Sequence, residues 1–221
     1  MSFVKRVSTY LLDLLYPPKC VFCGELLERG ERMMCLRCLA ELPCTRQGGD
    51  KKAEFVSVCV SPLYYEDRVR DSLLRYKFHG RAAYARTYGA LLADCIAGNL
   101  AGHYDLITWI PLSRARLRER GYDQAELLAK AAARALGKRA APTLTKVRNT
   151  ARQSATGSAE KRRANISGAY RVRRNAPIAG RRVLLIDDIL TTGATAAECA
   201  RVLRSAGAAE VLFASLAQTR D

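Results

Sequence analysis

Long hydrophobic runs are missing from this chain of 221 residues. The first apolar stretch, Phe3 to Tyr16, falls short of the ~20 residues that a bilayer-spanning helix needs. It also contains Lys5, Arg6 and Asp13 and runs into Pro17-Pro18. It has neither the uncharged core nor the small-residue cleavage site of a signal peptide. Phe3, Val7, Tyr10, Leu11 and Leu14 recur at helical spacing, which predicts an amphipathic helix packed on the protein rather than anchored at a membrane surface. A soluble protein is expected. Histidine is nearly absent. His79 and His103 are the only two, and neither stands near a serine, cysteine or metal-ligand pattern that would suggest nucleophilic catalysis, so surface or turn positions are expected for both.

Acidic residues are also few: 21 Asp plus Glu face 37 Lys plus Arg, for a formal charge of +16. With 49% hydrophobic residues the chain can still build a packed core, so wholesale disorder is excluded. The charge is uneven. Residues 111–182 hold 19 basic and 4 acidic groups, whereas residues 183–221 hold 3 and 5. Such a concentration implies a polyanionic partner. Aromatic residues are sparse in the basic stretch (Tyr122 and Tyr170), so backbone contacts rather than base stacking would dominate any nucleic-acid binding there.

Half of the eight cysteines are paired in sequence. Cys20, Cys23, Cys35 and Cys38 form two C-x2-C pairs separated by 11 residues, with turn residues Gly24 and Gly30 between them. Two such knuckles complete a tetrahedral zinc site, a pattern that suits zinc better than two disulfides. Four thiolates leave no open coordination position, so the site is read as structural, and thiolate-bound zinc implies a reducing, cytoplasmic setting. Cys44 is a core thiol or a spare ligand. Cys59, Cys95 and Cys199 lie in apolar contexts and are read as core residues.

This gives an N-terminal helix and zinc module over residues 1–50 and a larger domain over 51–221. Thr45 to Lys52 reads as a linker. Val56 to Tyr65, Asp105 to Leu112, Arg182 to Asp187 and Glu210 to Leu216 read as strands. Arg68 to Lys77, Ala82 to Ile96, Gln124 to Leu136 and Thr195 to Ala206 read as helices. Thr145 to Asn165 is polar and poorly periodic and reads as a long mobile loop. Strand–helix alternation from residue 105 onward predicts an α/β fold with a mainly parallel sheet flanked by helices.

One segment carries chemistry: Val183-Leu-Leu-Ile-Asp187-Asp188-Ile-Leu-Thr191-Thr192-Gly193-Ala194-Thr195. An apolar strand delivers two carboxylates to its carboxyl end, where open α/β sheets bind ligands. The Thr- and Gly-containing turn then opens a helix, which aims N–H groups and hydroxyls at one spot and suits a phosphate monoester. The carboxylates repel a phosphate but accept hydrogen bonds from sugar hydroxyls. A ribose 5-phosphate group satisfies both requirements. The spacing is neither that of a Walker A loop nor that of a dinucleotide fingerprint.

The segment resembles the phosphoribosyl pyrophosphate (PRPP) signature of type I phosphoribosyltransferases. Together with the cysteine quartet, Trp109-Ile-Pro111-Leu112 and Arg120-Gly121-Tyr122-Asp123-Gln124-Ala125, it makes the chain similar to the ComF family of competence-associated, phosphoribosyltransferase-like proteins. Asp123 stands where that family's pattern has Asn. Tyr76-Lys77-Phe78-His79-Gly80 resembles the family's K-x-x-G element, and Arg148, Gln153, Arg162, Asn165 and Gly168-Ala169-Tyr170 resemble its R…Q…R-x-x-N…A-F stretch.

The resemblance implies that Asp187 and Asp188 contact the ribose 2- and 3-hydroxyls and that Thr191, Thr192, Gly193, Ala194 and Thr195 hold the 5-phosphate. It places pyrophosphate at the loop containing Ser113 and Arg114, with Mg²⁺ bridging pyrophosphate and ribose oxygens. Arg148, Gln153 and Arg162 would belong to a closing hood over a reaction in which a nitrogen nucleophile displaces pyrophosphate. Two alternatives are a factor that handles single-stranded DNA during transformation and a zinc-ribbon adaptor for a competence ATPase or helicase. Arg171, Arg173, Arg174, Arg181 and Arg182 form a second basic cluster, either a solvated edge hairpin or a nucleic-acid contact.

Overall fold

The computed structural model describes residues 17–28, 30–31, 33–149 and 164–220. The N-terminal helix read over Phe3 to Tyr16, and Gln153 and Arg162, lie outside them.

After a short helix α1 (Leu36–Glu41) come strands β1 (Cys59–Val60) and β2 (Leu63–Tyr64), helix α2 (Asp67–Phe78) and, beyond a 3₁₀ turn, helix α3 (Ala85–Leu100). Strand β3 (Leu106–Trp109) leads through helices α4 (Arg114–Arg120) and α5 (Gln124–Ala135) to the antiparallel pair β4 (Leu144–Lys146) and β5 (Tyr170–Val172). The chain closes with β6 (Arg182–Leu190), α6 (Ala194–Ser205) and β7 (Glu210–Gln218). The main sheet runs β1–β7–β6–β3, with β2 also on β7, and every pairing in it is parallel. The strand read over Val56 to Tyr65 is broken in two around Ser61-Pro62, because proline has no N–H to give the ladder. Thr145 to Asn165 is not loop throughout: its first two residues belong to β4.

Strand pleating sorts the core into two layers. Leu184 and Ile186 of β6 and Leu212 and Ala214 of β7 join the side chains of α2, α3 and α5 on one face. Val183, Leu185, Val211 and Phe213 join α6, Ala169 and Tyr170 on the other.

The cysteine module shares the first layer. Cys20, Val21, Phe22 and Cys38 are buried in it, and the Phe22 ring sits 5.9 Å from that of Tyr88 on α3. Helix α2 grips the module through polar contacts as well. Ser72 Oγ donates to the Val21 carbonyl, and Arg75 Nη2 donates to the carbonyl of Phe22 at 2.7 Å. The stretch read as a linker is part of this packing. The N–H of Thr45 donates to Pro62 O, Cys44 bridges to Leu63, and Ser61 N–H donates to Gly48 O. Its polar composition satisfies a strand edge instead of solvating a tether. Cys44 is exposed, so the core-thiol alternative does not hold; Cys59 and Cys199 are buried, and Cys95 is partly so.

Candidate functional site

The Sγ atoms of Cys20, Cys23, Cys35 and Cys38 all lie within 4.8 Å of one another. Four Zn–S bonds of ~2.3 Å place sulfurs roughly 3.8 Å apart, and Cys23 Sγ and Cys35 Sγ are 3.7 Å apart. A disulfide would need about 2.05 Å. The Cys38 N–H points at Cys35 Sγ (3.4 Å), and Arg68 of α2 places Nη1 3.8 Å from Cys38 Sγ and 2.8 Å from Glu41 Oε2. Burial alone would raise the Cys20 thiol, but backbone donors at Cys23, Cys35 and Phe22 bring it down to about 7. The cluster fits a structural zinc ion, with Arg68 supplying charge to a sulfur-rich site.

The second centre is a cavity of about 240 Å³ at the carboxyl end of β6. Asp187, Asp188 and Thr195 line it, with Lys77 from the end of α2, Arg116 and Arg120 from α4, Asp123 from the start of α5 and Lys146 from β4. Adjacent residues of a strand point to opposite faces. Accordingly, Asp188 meets Lys77, whose Nζ lies 2.9 Å from its Oδ2, while Asp187 shares its surroundings with Lys146, Tyr170 and Cys199. The Asp188 N–H donates to Asp187 Oδ1 at 2.8 Å. Burial, and then the charge of Asp188, push the Asp187 carboxyl up to about 8 even with Lys77 nearby. Ionising both adjacent carboxylates in this buried setting is therefore costly.

The turn after β6 takes its shape from Gly193. Its φ of 73° is left-handed, and a Cβ there would sit 3.1 Å from both Ala53 Cβ and Lys52 O. Glycine is required by conformation and by the close approach of the 52–53 backbone. Gly193 begins α6, accepting the Ala197 N–H at 2.8 Å. Thr195 reaches the cavity of the aspartates, whereas Thr191 and Thr192 line an adjoining recess with Asp50, Lys51, Lys52, Thr219 and Arg220.

Helix α4 divides two basic surfaces. Arg116 and Arg120, one turn apart, face the cavity; Arg114 and Arg118, also one turn apart, face an outer groove with Ser113, Lys146, Arg148 and Asn149. Ser113 caps the helix, its Oγ accepting the Arg116 N–H at 3.4 Å. The structure thus puts Ser113 and Arg114 one groove away from the aspartates. Arg148 Nη2 donates to the carbonyls of Asn165 (3.0 Å) and Ser167 (2.7 Å), tying together the flanks of the 150–163 segment rather than entering the cavity. Arg182 of the second basic cluster is engaged with Asp105 in a 2.8 Å ion pair at the sheet edge.

Lys77, Arg116, Arg120, Asp123 and Lys146 were not assigned to the site from sequence. Asp123 answers the substitution noted above. Its Oδ2 accepts the Leu112 N–H (2.8 Å) and its Oδ1 the Glu126 N–H (3.1 Å), so it caps α5 and fixes the Pro111–Leu112 turn at once. An asparagine, with one carbonyl oxygen, cannot give a separate acceptor atom to each. The usable signals were the K-x-x-G element for Lys77 and the four-residue spacing of Arg116 and Arg120.

A double zinc ribbon domain model matches residues 11–54, and a phosphoribosyl transferase domain model matches residues 123–221. Competence protein F of Haemophilus influenzae is 30% identical over 213 residues, covering 91% of this chain and 85% of that protein. Competence protein ComFC of Bacillus subtilis is 30% identical over 145 residues, 66% of this chain and 57% of that one. DNA utilization protein YhgH of Escherichia coli K12 is 36% identical over 116 residues, 52% of this chain; the match spans about half the length of that relative. Among solved structures, glutamine PRPP amidotransferase from B. subtilis, complexed with ADP and GMP, is 25% identical. That likeness covers 61% of this chain and 26% of the other at a TM-score of 0.40, too loose to establish a shared fold by itself. With a zinc-ribbon cysteine quartet, a parallel-sheet strand ending in the Asp187–Thr195 turn and a relative in Competence protein F matched over 91% of this chain, the chain belongs to the ComF family.

Proposed function

We propose that the cavity at the end of β6 binds PRPP with Mg²⁺ and that the protein acts in DNA uptake, the setting indicated by the names of its relatives. The observation that carries the ligand assignment is the convergence of the Asp187–Asp188 pair, Thr195 at the head of α6 and four cationic side chains on one cavity. The acids suit ribose hydroxyls, the turn suits the 5-phosphate, and Arg116, Arg120, Lys77 and Lys146 suit the pyrophosphate. Asp187 and Asp188 are the residues that would hold Mg²⁺ with the ligand, and the ion would supply positive charge against the pyrophosphate. If the protein turns over, its own residues contribute positioning and electrostatic stabilisation at a displacement on the ribose C1. Calorimetric titration of PRPP with Mg²⁺ tests the assignment. Saturable binding by the native protein, abolished in Asp187→Asn/Asp188→Asn, is the expected outcome. No heat with the native protein would refute it.

A second ligand is supported by the outer groove, whose charged lining residues Arg114, Arg118, Lys146 and Arg148 are all basic. It suits the backbone of single-stranded DNA better than one compact phosphate. Three or four phosphate contacts predict a slope of about −2 to −3 in log affinity against log salt. Arg114→Ala/Arg118→Ala should flatten that slope by about 1 to 1.5. A native affinity indifferent to salt, or an unchanged slope in the variant, would contradict it.

A further inference from the structure

Lys77 stands where a ribose ligand must compete with it. Its main chain is fixed: Tyr76 is fully buried with its hydroxyl donating to Gln124 O at 2.8 Å, Tyr122 Oη donates to Tyr76 O, and Gln124 Nε2 approaches Lys77 O at 3.5 Å. The side chain is a flexible four-carbon stem carrying a compact charge. Its ammonium rests 2.9 Å from Asp188 Oδ2, and both side chains are largely shielded, at 18% and 11% exposure. Arg120, by contrast, is committed to its surroundings, with Nη1 2.9 Å from Gln124 Oε1 and the guanidinium 4.9 Å above the Phe78 ring.

A ribose diol that hydrogen-bonds Asp188 Oδ2 competes with that ammonium for the same oxygen. The diol is neutral, so a ligand charged at the 5-position alone leaves Lys77 shielded from water and without the carboxylate oxygen it now holds. A ligand that also carries an anionic group on C1 offers a new partner inside the same cavity. We propose that Lys77 is a mobile counter-ion that sets ligand specificity: it neutralises Asp188 before a ligand enters and transfers to the C1 anion on binding, so that the site selects ribose phosphates charged at both ends. The other charged groups on the cavity wall are Arg116, Arg120 and Lys146 and the carboxylates of Asp123 and Asp187. The observed partner of Lys77, Asp188, is one of the two carboxylates assigned to the sugar.

This inference rests on the ribose-phosphate assignment and separates from it experimentally. Affinities for PRPP and for ribose 5-phosphate, measured calorimetrically at fixed Mg²⁺, are compared between the native protein and Lys77→Met. The two should move in opposite directions, PRPP weakening by ~10-fold or more and ribose 5-phosphate tightening by roughly 3-fold or more. Lys77→Gln, neutral but polar, should give the same reversal and serves if the Met form does not fold; Lys77→Arg should keep the native preference. Parallel losses for both ligands, or no change in either, would overturn the counter-ion role. A native protein that binds neither ligand would instead refute the ribose-phosphate assignment itself.

Discussion

Zinc removal is expected to lower the melting temperature of the whole chain by more than ~10 °C, not to melt a tethered appendage. The reason lies in where the cysteines sit. Cys20 and Cys38 are fully buried, and Val21 and Phe22 inside the first knuckle enter the same apolar layer as Leu73, Tyr76, Tyr88 and Leu92. Structural zinc contributes on the order of 10 kcal/mol to the folding of isolated fingers. Without it, thiolates and their N–H donors lose the centre that holds Phe22 against Tyr88. Ser72 and Arg75 of α2 then lose the carbonyls of Val21 and Phe22 as well. Chelation, or Cys38→Ser, should shift a single cooperative transition detected by tyrosine fluorescence and by far-UV circular dichroism alike. Phe22→Ala, with zinc retained, should cost about 3–5 kcal/mol and so reproduce part of the effect. A Cys38→Ser protein melting at the native temperature, or a two-step melt in which only the N-terminal part responds, would refute the shared core.

Much of this was legible in the sequence because the signals were local. The C-x2-C pairs specify a chelating cluster by spacing alone. The run Val183 to Ile186 specifies a buried strand, although the ladder continues past the aspartates to Leu190 opposite Gln218. The acids break the apolar run, while their backbone still pairs. Helix α4 was invisible to periodicity because Leu117 is its only large apolar residue and is itself 42% exposed. Its ends hold it instead: Ser113 caps the start, and Gly121, at a φ of 78°, accommodates the left-handed residue that closes it. Thr45 to Lys52 misled for a related reason, since polar residues serve a strand edge as well as they serve solvent. Lys146 had no sequence signal, and the K-x-x-G element marked Lys77 without placing it in the cavity. Their roles depend on two distant elements, α2 and β4, converging on the end of β6.

Gly193→Ala should lower stability more than a glycine replacement that is strained in backbone conformation alone, and should also abolish PRPP binding. The comparison is Gly180, whose φ of 68° is also left-handed but whose added Cβ would meet nothing within 4 Å. Placing alanine in that conformation costs about 1–2 kcal/mol at either position. At Gly193 the new methyl would additionally press on Ala53 Cβ and Lys52 O, both 3.1 Å away, and these belong to a chain segment packed over the turn. Overpacking of that kind adds roughly 1–3 kcal/mol, so Gly193→Ala should melt about 2–12 °C below Gly180→Ala. Ligand binding should separate the two variants further. Relief of the clash moves either the 52–53 backbone or the turn, and the turn carries Thr191, Thr192 and the first residues of α6. A shifted turn no longer aims its N–H groups at one phosphate. Gly180→Ala should bind PRPP as the native protein does, while Gly193→Ala should show no saturable binding. Equal melting temperatures would remove the close approach of residues 52–53 as the reason for glycine, and native affinity in Gly193→Ala would remove the turn from the phosphate site.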